Sequence, residues 1–145
     1  MFRWIRTTIE VVKAQDLALI DVLELYNAVE WLAYTKEPDT LQKALEGSST
    51  LVAARDGQML VGLARVISDG ASICYLQDIL VRPSHHRKGL GRALAERALE
   101  QYPHVRQKAL ITDDEPKQKA FYEALGYTQT DEFAGGSIRA FVRFD

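Results

Sequence analysis

Between Arg82 and Arg92 the chain reads RPSHHRKGLGR, which gathers Arg82, Arg87, Lys88 and Arg92 with no acid among them. Gly89 and Gly91 stand where a strand-like run gives way to a helical one. Their missing side chains let a ligand approach backbone N–H groups that a helix start cannot satisfy itself. Such a start binds phosphate through N–H donors and the positive end of the dipole, and flanking guanidinium and ammonium groups add charge. The Gly-Lys-Ser/Thr of a nucleotide-triphosphate loop is missing, and only two of the three glycines of a dinucleotide fingerprint are present. Two glycines alone also fit a tight strand-to-helix turn with no ligand.

Two further places have the residue types for chemistry. Gln77 and Asp78 interrupt an otherwise apolar strand, with Ile73, Tyr75, Ile79 and Val81 expected on one face and Cys74, Leu76 and Leu80 on the other. Adjacent residues point to opposite faces, so at least one of the pair meets a core face or a cleft, where an ionised Asp needs a partner. Later, Ala120, Phe121, Ala124 and Leu125 form an apolar helical stripe, and Tyr122 lies just off its edge, its ring able to pack while its hydroxyl faces a cleft. A half-buried tyrosine bonded to a carbonyl is the structural alternative. His85, His86 and His104 have neither metal-ligand spacing nor cysteine partners, so no metal is expected. Cys74 is the single cysteine, which excludes an intramolecular disulfide and a thiolate cage and reads as a packed core residue.

The elements that must position these residues follow from periodicity and turn chemistry. A strand around Thr8 to Val12 precedes a helix with Asp16 as N-cap and Leu19, Val22, Leu23, Tyr26 and Val29 on its apolar face. Trp31 and Tyr34 lie in its connection to a second helix, Pro38 to about Leu45. Strands at Thr50 to Arg55, Met59 to Ile67 and Ile73 to Arg82 are joined at Asp56-Gly57 and Asp69-Gly70, which implies an antiparallel meander. A helix from Gly89 towards Pro103, a short strand Lys108 to Thr112, and a helix Pro116 to Leu125 closed by Gly126 follow. Strands around Thr128 to Phe133 and Ile138 to Phe144 finish the chain. The order β-α-α-β-β-β-α-β-α-β-β predicts a mixed sheet with helices on both faces.

Composition bounds the partners. With 145 residues, 47% hydrophobic and 26% charged, the chain reads as one globular domain over 1–145. Its net charge of -2 provides no global positive field for nucleic acid or anionic lipid, so neither is expected as a partner. The start, MFRWIRTTIEVVK, lacks the continuous apolar core of a signal peptide, and a cytoplasmic location is expected.

The residues also carry a family resemblance. His86-Arg87-Lys88-Gly89-Leu90-Gly91 resembles the acetyl-CoA pyrophosphate loop of the GCN5-related N-acetyltransferases (GNAT), whose pattern is Gln/Arg-x-x-Gly-x-Gly/Ala. Lys119-Ala-Phe-Tyr-Glu-Ala-Leu-Gly-Tyr127 resembles the family's second signature, Phe-Tyr followed by Leu-Gly-Phe or Leu-Gly-Tyr. His86 departs from the family's Gln or Arg, and the Asn often found at the start of the later helix is absent, with Glu115 near that place. The resemblance implies an α/β (α+β) GNAT fold, with a mixed, mostly antiparallel sheet of about seven strands flanked by about four helices.

It further implies acetyl-CoA as co-substrate and direct attack of a primary amine on the thioester. The pantetheine would lie along the backbone of Ile79, Leu80 and Val81, with an oxyanion donor near Leu80 where this strand and the Lys108–Thr112 strand separate. The pyrophosphate would sit on His86, Arg87, Lys88, Gly89, Leu90, Gly91 and Arg92, with Phe121 beside the cofactor. In the resemblance Tyr122 is the general acid for the leaving thiolate. Asp78 contacts the ammonium or relays its proton, although structural pairing with a nearby Arg or with backbone fits it as well. Gln77, Trp31 and Tyr34 would touch the acceptor, with core packing the equal alternative for Trp31. Asp113, Asp114 and Glu115 either favour a cationic acceptor or satisfy a helix N-terminus. The acceptor is expected to be a small amine or amino-acid-like metabolite. Protein amines, or a silent CoA-binding sensor, are the alternatives, and a homodimer is left open.

Overall fold

The computed structural model describes residues 6–145, so the first five residues of the leader reading lie outside the described residues. The chain divides into two compact units, Met1–Leu110 and Ile111–Asp145. In the first, β1 (Thr7–Val12) is followed by α1 (Leu19–Ala28), α2 (Leu32–Thr35) and α3 (Pro38–Glu46). The strands β2 (Thr50–Asp56), β3 (Met59–Ser68) and β4 (Ile73–Val81) come next, then α4 (Leu90–Leu99) and β5 (Gln107–Ala109). The five strands lie in chain order in one sheet, antiparallel throughout except that β5 runs parallel to β4.

Turn chemistry places the meander as expected. Gly57 takes φ +62° in the two-residue link from β2 to β3, a conformation that costs glycine nothing. The Asp69 carboxylate closes the link from β3 to β4 by accepting the N–H groups of Ala71, Ser72 and Ile73 and the Ser72 hydroxyl. Those four donors hold its acidity well above that of an ordinary carboxylic acid. Asp16 does not cap α1. Its side chain accepts the Lys13 N–H at 2.9 Å and closes a 3-10 turn at Ala14–Asp16, so the helix begins only at Leu19.

Helices cover both faces of the sheet. A Cβ on Gly62 of β3 would lie 2.8 Å from Leu94 Cδ1 of α4, 3.2 Å from the Leu80 carbonyl oxygen and 3.3 Å from Ala54 Cβ. Leu63, the next residue, points the other way, into a core built from Val22, Leu25 and Tyr26 of α1 and Leu41 and Leu45 of α3. Gly62 thus lets α4 approach the sheet, and Gly62→Ala is expected to lower stability by about 1–3 kcal/mol through overpacking. A thermal melt checks it; an unchanged midpoint would show that α4 does not press on β3.

The second unit holds α5 (Pro116–Ala124), where Pro116 supplies the first turn and Gly126, at φ +94°, follows the end. The Gly126 N–H donates to the Glu123 carbonyl and the Tyr127 N–H to that of Tyr122, the paired bonds of a Schellman cap. The strands expected at Thr128 to Phe133 and Ile138 to Phe144 do not form, so the sheet has five strands in place of about seven. Alternation of apolar residues marks a strand only if a neighbour completes its ladder. Within this segment one bond, Ile138 N–H to the Thr130 carbonyl at 2.9 Å, crosses from one expected strand to the other. The α-helices number five among the described residues where about four were expected, because the connection containing Tyr34 coils into the short α2.

Candidate active site

The register between β3 and β4 slips by one residue. Arg65 stands opposite Asp78 and Val66 opposite Leu76, so Gln77 is the extra residue of a β-bulge. A bulge reverses the alternation beyond it, which corrects the expected faces. Cys74 and Leu76 share the α4 side with Ile79 and Val81, opposite Ser68, Val66, Ala64 and Gly62. Asp78 and Leu80 turn to the side of α1 and α3, opposite Arg65 and Leu63.

Asp78 is 3% exposed and both its oxygens are engaged. Oδ2 accepts Arg65 Nε at 2.7 Å and the Tyr26 hydroxyl at 2.8 Å, and Oδ1 accepts the Tyr34 hydroxyl at 3.0 Å. Arg65 in turn donates through Nη1 to the Ala44 carbonyl and to Ser48 Oγ, which ties β3 to the end of α3. Burial pulls the Arg65 guanidinium down, but Asp78 together with Tyr26 and Tyr34 outweighs it and the net shift is upward, so Arg65 stays charged. Burial and then Asp78 push the Tyr26 and Tyr34 phenols up, which keeps both protonated and makes them donors. Asp78 is therefore paired with a nearby Arg, the structural alternative open from the sequence, and its carboxylate is closed off by one guanidinium and two phenols.

What the network positions is aromatic and exposed. Gln77 Nε2 donates to the Tyr34 hydroxyl oxygen at 3.3 Å. The Trp31 ring stacks on Tyr34 with centroids 6.3 Å apart and meets Tyr26 edge-on at 5.9 Å, while remaining 37% exposed. The expected acceptor contacts Gln77, Trp31 and Tyr34 therefore form one continuous surface. Tyr26 and Arg65, which hold it, were not singled out from the sequence as site residues, although Arg65 is the one charge inside the apolar run of β3.

Beyond the bulge, β4 has an open edge. β5 pairs only with Ile73, Cys74 and Tyr75, so residues 76–81 have no strand on that side among the described residues. The Arg82 N–H donates to the Val61 carbonyl at 2.8 Å, and by antiparallel alternation Leu80 also faces β3 while Ile79 and Val81 turn their N–H and C=O groups to the open edge. The Leu80 N–H, near which an oxyanion donor is expected, thus faces β3 and not the open edge. His86 corroborates this direction: its Nε2–H donates to the Val81 carbonyl at 2.8 Å, which also fixes its tautomer.

The chain then enters α4 through Gly89, whose φ of +76° suits only glycine without strain, while Arg87 holds φ +63° as a non-glycine. Among the described residues the first backbone bond of the helix runs from the Ala93 N–H to the Gly89 carbonyl, so the N–H groups of residues 87–92 have no backbone carbonyl to serve. That unsatisfied row fits a pyrophosphate. Of the four cations, Arg82 is turned inward onto the Leu60 carbonyl and Glu24, and Arg92 leans on Glu96. Arg87 and Lys88 have no ion pair among the described residues. The loop is anchored by His85, buried, whose Nε2 meets Asp56 at 2.9 Å and whose Nδ1 meets the Ser84 hydroxyl at 2.8 Å.

In the second unit, Tyr122 is half-buried, edge-on to Phe121 at 5.0 Å and to Tyr127 at 6.1 Å. Cys74 is fully buried, and burial pushes its thiol up, away from a nucleophilic thiolate. Among the described residues no helix is long and apolar enough to cross a membrane, and no three His, Cys, Asp or Glu side chains gather as a metal site.

Comparison with known proteins places this architecture. The model of the acetyltransferase (GNAT) domain matches residues 21–139. A GNAT-family acetyltransferase of Streptococcus pneumoniae is 30% identical in its solved structure, superposes with a TM-score of 0.81, and the match covers 96% of this chain and 98% of that one. A Gibberella zeae protein named as an acetyltransferase is 38% identical over 78 residues, covering 52% of this chain and only 43% of that protein's length. An aminoglycoside N-acetyltransferase solved with CoA shares the fold at a TM-score of 0.64, with 16% identity over 95% of this chain and 94% of its own.

Proposed function

Since the chain belongs to the GNAT family of acetyltransferases, we propose that it transfers the acetyl group of acetyl-CoA to a primary amine, most simply a small or amino-acid-like metabolite. The observation that carries this reading is the continuity of two backbone surfaces. The outward groups of Ile79 and Val81 lead directly into the N–H row of residues 87–92, a strand edge for an amide-bearing arm followed by a helix start for phosphates. Bound acetyl-CoA supplies an activated thioester and a thiol leaving group. The N–H of Ile79 or Val81 is the donor for the carbonyl oxygen as charge develops on it. Arg87 and Lys88 add charge at the phosphates. The family resemblance assigns to Tyr122 Oη the delivery of a proton to the departing sulfur. The buried Cys74 takes no part, so the amine attacks directly. A lone buried thiol also fits a cytoplasmic location.

Asp78 is withdrawn from the role of base, because Arg65, Tyr26 and Tyr34 already donate to it. An alkyl ammonium with a pKa near 10 is about 0.1% neutral at pH 7, so the protein is expected to take the amine from the neutral fraction through water. Thiol release with acetyl-CoA and a panel of primary amines tests the activity. The rate at limiting amine should rise about tenfold per pH unit between pH 6 and 8. Absence of thiol release with every amine would refute transfer, and a flat profile would refute the missing base.

A further inference from the structure

The hydrogen-bond directions around Tyr34 can be assigned without ambiguity, and they leave one atom unassigned at the protein surface. Asp78 is paired with the Arg65 guanidinium at 2.7 Å, and a carboxylate in an ion pair only accepts. The Tyr34 hydroxyl, 3.0 Å from Asp78 Oδ1, must therefore spend its one proton on that carboxylate. Its oxygen is left able only to accept, and its partner at 3.3 Å on Gln77 must be the amide nitrogen and not the amide oxygen. The carboxamide of Gln77 is thus oriented by a chain of donors that begins at a buried guanidinium. Gln77 Oε1, an acceptor on an exposed bulge residue, has no hydrogen-bond partner among the described residues.

We propose that Gln77 Oε1 receives an N–H of the acceptor amine, and that the acceptor is a primary amine on a flat apolar group that lies along Trp31 and Tyr34. The proposal rests on the transferase reading above and specifies its acceptor end. A bulge is a device that re-aims a side chain, and here it aims one amide oxygen beside two stacked rings. Asp78 is paired with Arg65, so at this oxygen recognition runs on one directed hydrogen bond and on ring contact.

Steady-state kinetics with acetyl-CoA and 2-phenylethylamine, against spermidine as the polycationic comparison, tests this. Gln77→Met should raise KM for 2-phenylethylamine about tenfold with KM for acetyl-CoA unchanged, the loss of one hydrogen bond. Tyr34→Phe frees the carboxamide to turn; it should raise the same KM several-fold, and Tyr34→Phe combined with Gln77→Met should add little to Gln77→Met alone. If Gln77→Met leaves KM for the amine unchanged in an enzyme that still releases thiol, the proposal falls and the transferase reading stands. Preference for spermidine would overturn the apolar acceptor class. A wild-type protein that transfers to no amine would sink both readings.

Discussion

Asp78→Ala is expected to lower the stability of the protein by about 3–5 kcal/mol, because it strands a buried guanidinium. Arg65 is 4% exposed, and its Nε has Asp78 as its partner. The same substitution removes the acceptor of two phenols, one of them fully buried at Tyr26. Against a total stability of about 5–15 kcal/mol this is a large share, and the melting midpoint should fall by roughly 10 °C or more. Replacing the whole group by apolar residues, Arg65→Met with Asp78→Leu and Tyr26→Phe, should recover most of the loss, since the ions no longer need solvation. Denaturant melts of the single and triple variants decide it. A single variant within about 1 kcal/mol of the wild type would mean that the ion pair contributes little and that the site is held another way.

The same position separates a structural carboxylate from a catalytic one. Were Asp78 to take the proton from the ammonium, Asp78→Asn would cut kcat/KM by about 10²–10⁴ even where the variant is fully folded. With both oxygens already accepting, the expected loss at a temperature well below the melt is under about tenfold, carried by a loosened Tyr34 and Gln77.

Why Asp78 invites the catalytic reading from sequence is instructive. A hairpin with Ser68 opposite Cys74 would, in regular register, set Arg65 against Gln77. The bulge moves that opposition to Asp78 and turns the carboxylate inward. Nothing in the residue types from Ile73 to Val81 announces the extra residue, because a bulge is chosen by how two strands twist together. Elements fixed by local chemistry were legible: the glycines at 57, 89 and 126, the prolines opening α3 and α5, and the alternation that gives β2 to β4. The loop at 86–92 was legible for the same reason, since its backbone and cations are contiguous. Alternation alone predicts two C-terminal strands that do not form, because it states a preference for a ladder and says nothing of whether a neighbour is present. Tyr26 reads as part of the α1 core pattern and Arg65 as a lone charge in β3, and only the tertiary fold turns both towards Asp78.

Tyr122→Phe is expected to lower kcat by roughly 10²-fold, at the lower end of what general acids contribute. The leaving group sets that end of the range: a thiol of pKa about 8.5 departs as a weak enough base to leave partly unprotonated near neutral pH, where an alkoxide could not. The reading is clean because the substitution removes one oxygen and keeps the ring. Phe121 at 5.0 Å and Tyr127 at 6.1 Å still pack edge-on against it, and the backbone bond from the Tyr127 N–H to the residue 122 carbonyl is untouched. That Schellman bond holds the local frame, with Gly126 at φ +94° ending the helix. KM for acetyl-CoA and for the amine should therefore stay within about threefold while kcat falls, the signature of an interaction made only as the bond breaks. Single-turnover thiol release at saturating amine measures it. An unchanged rate would remove the Tyr122 hydroxyl from the chemistry and leave water to protonate the sulfur.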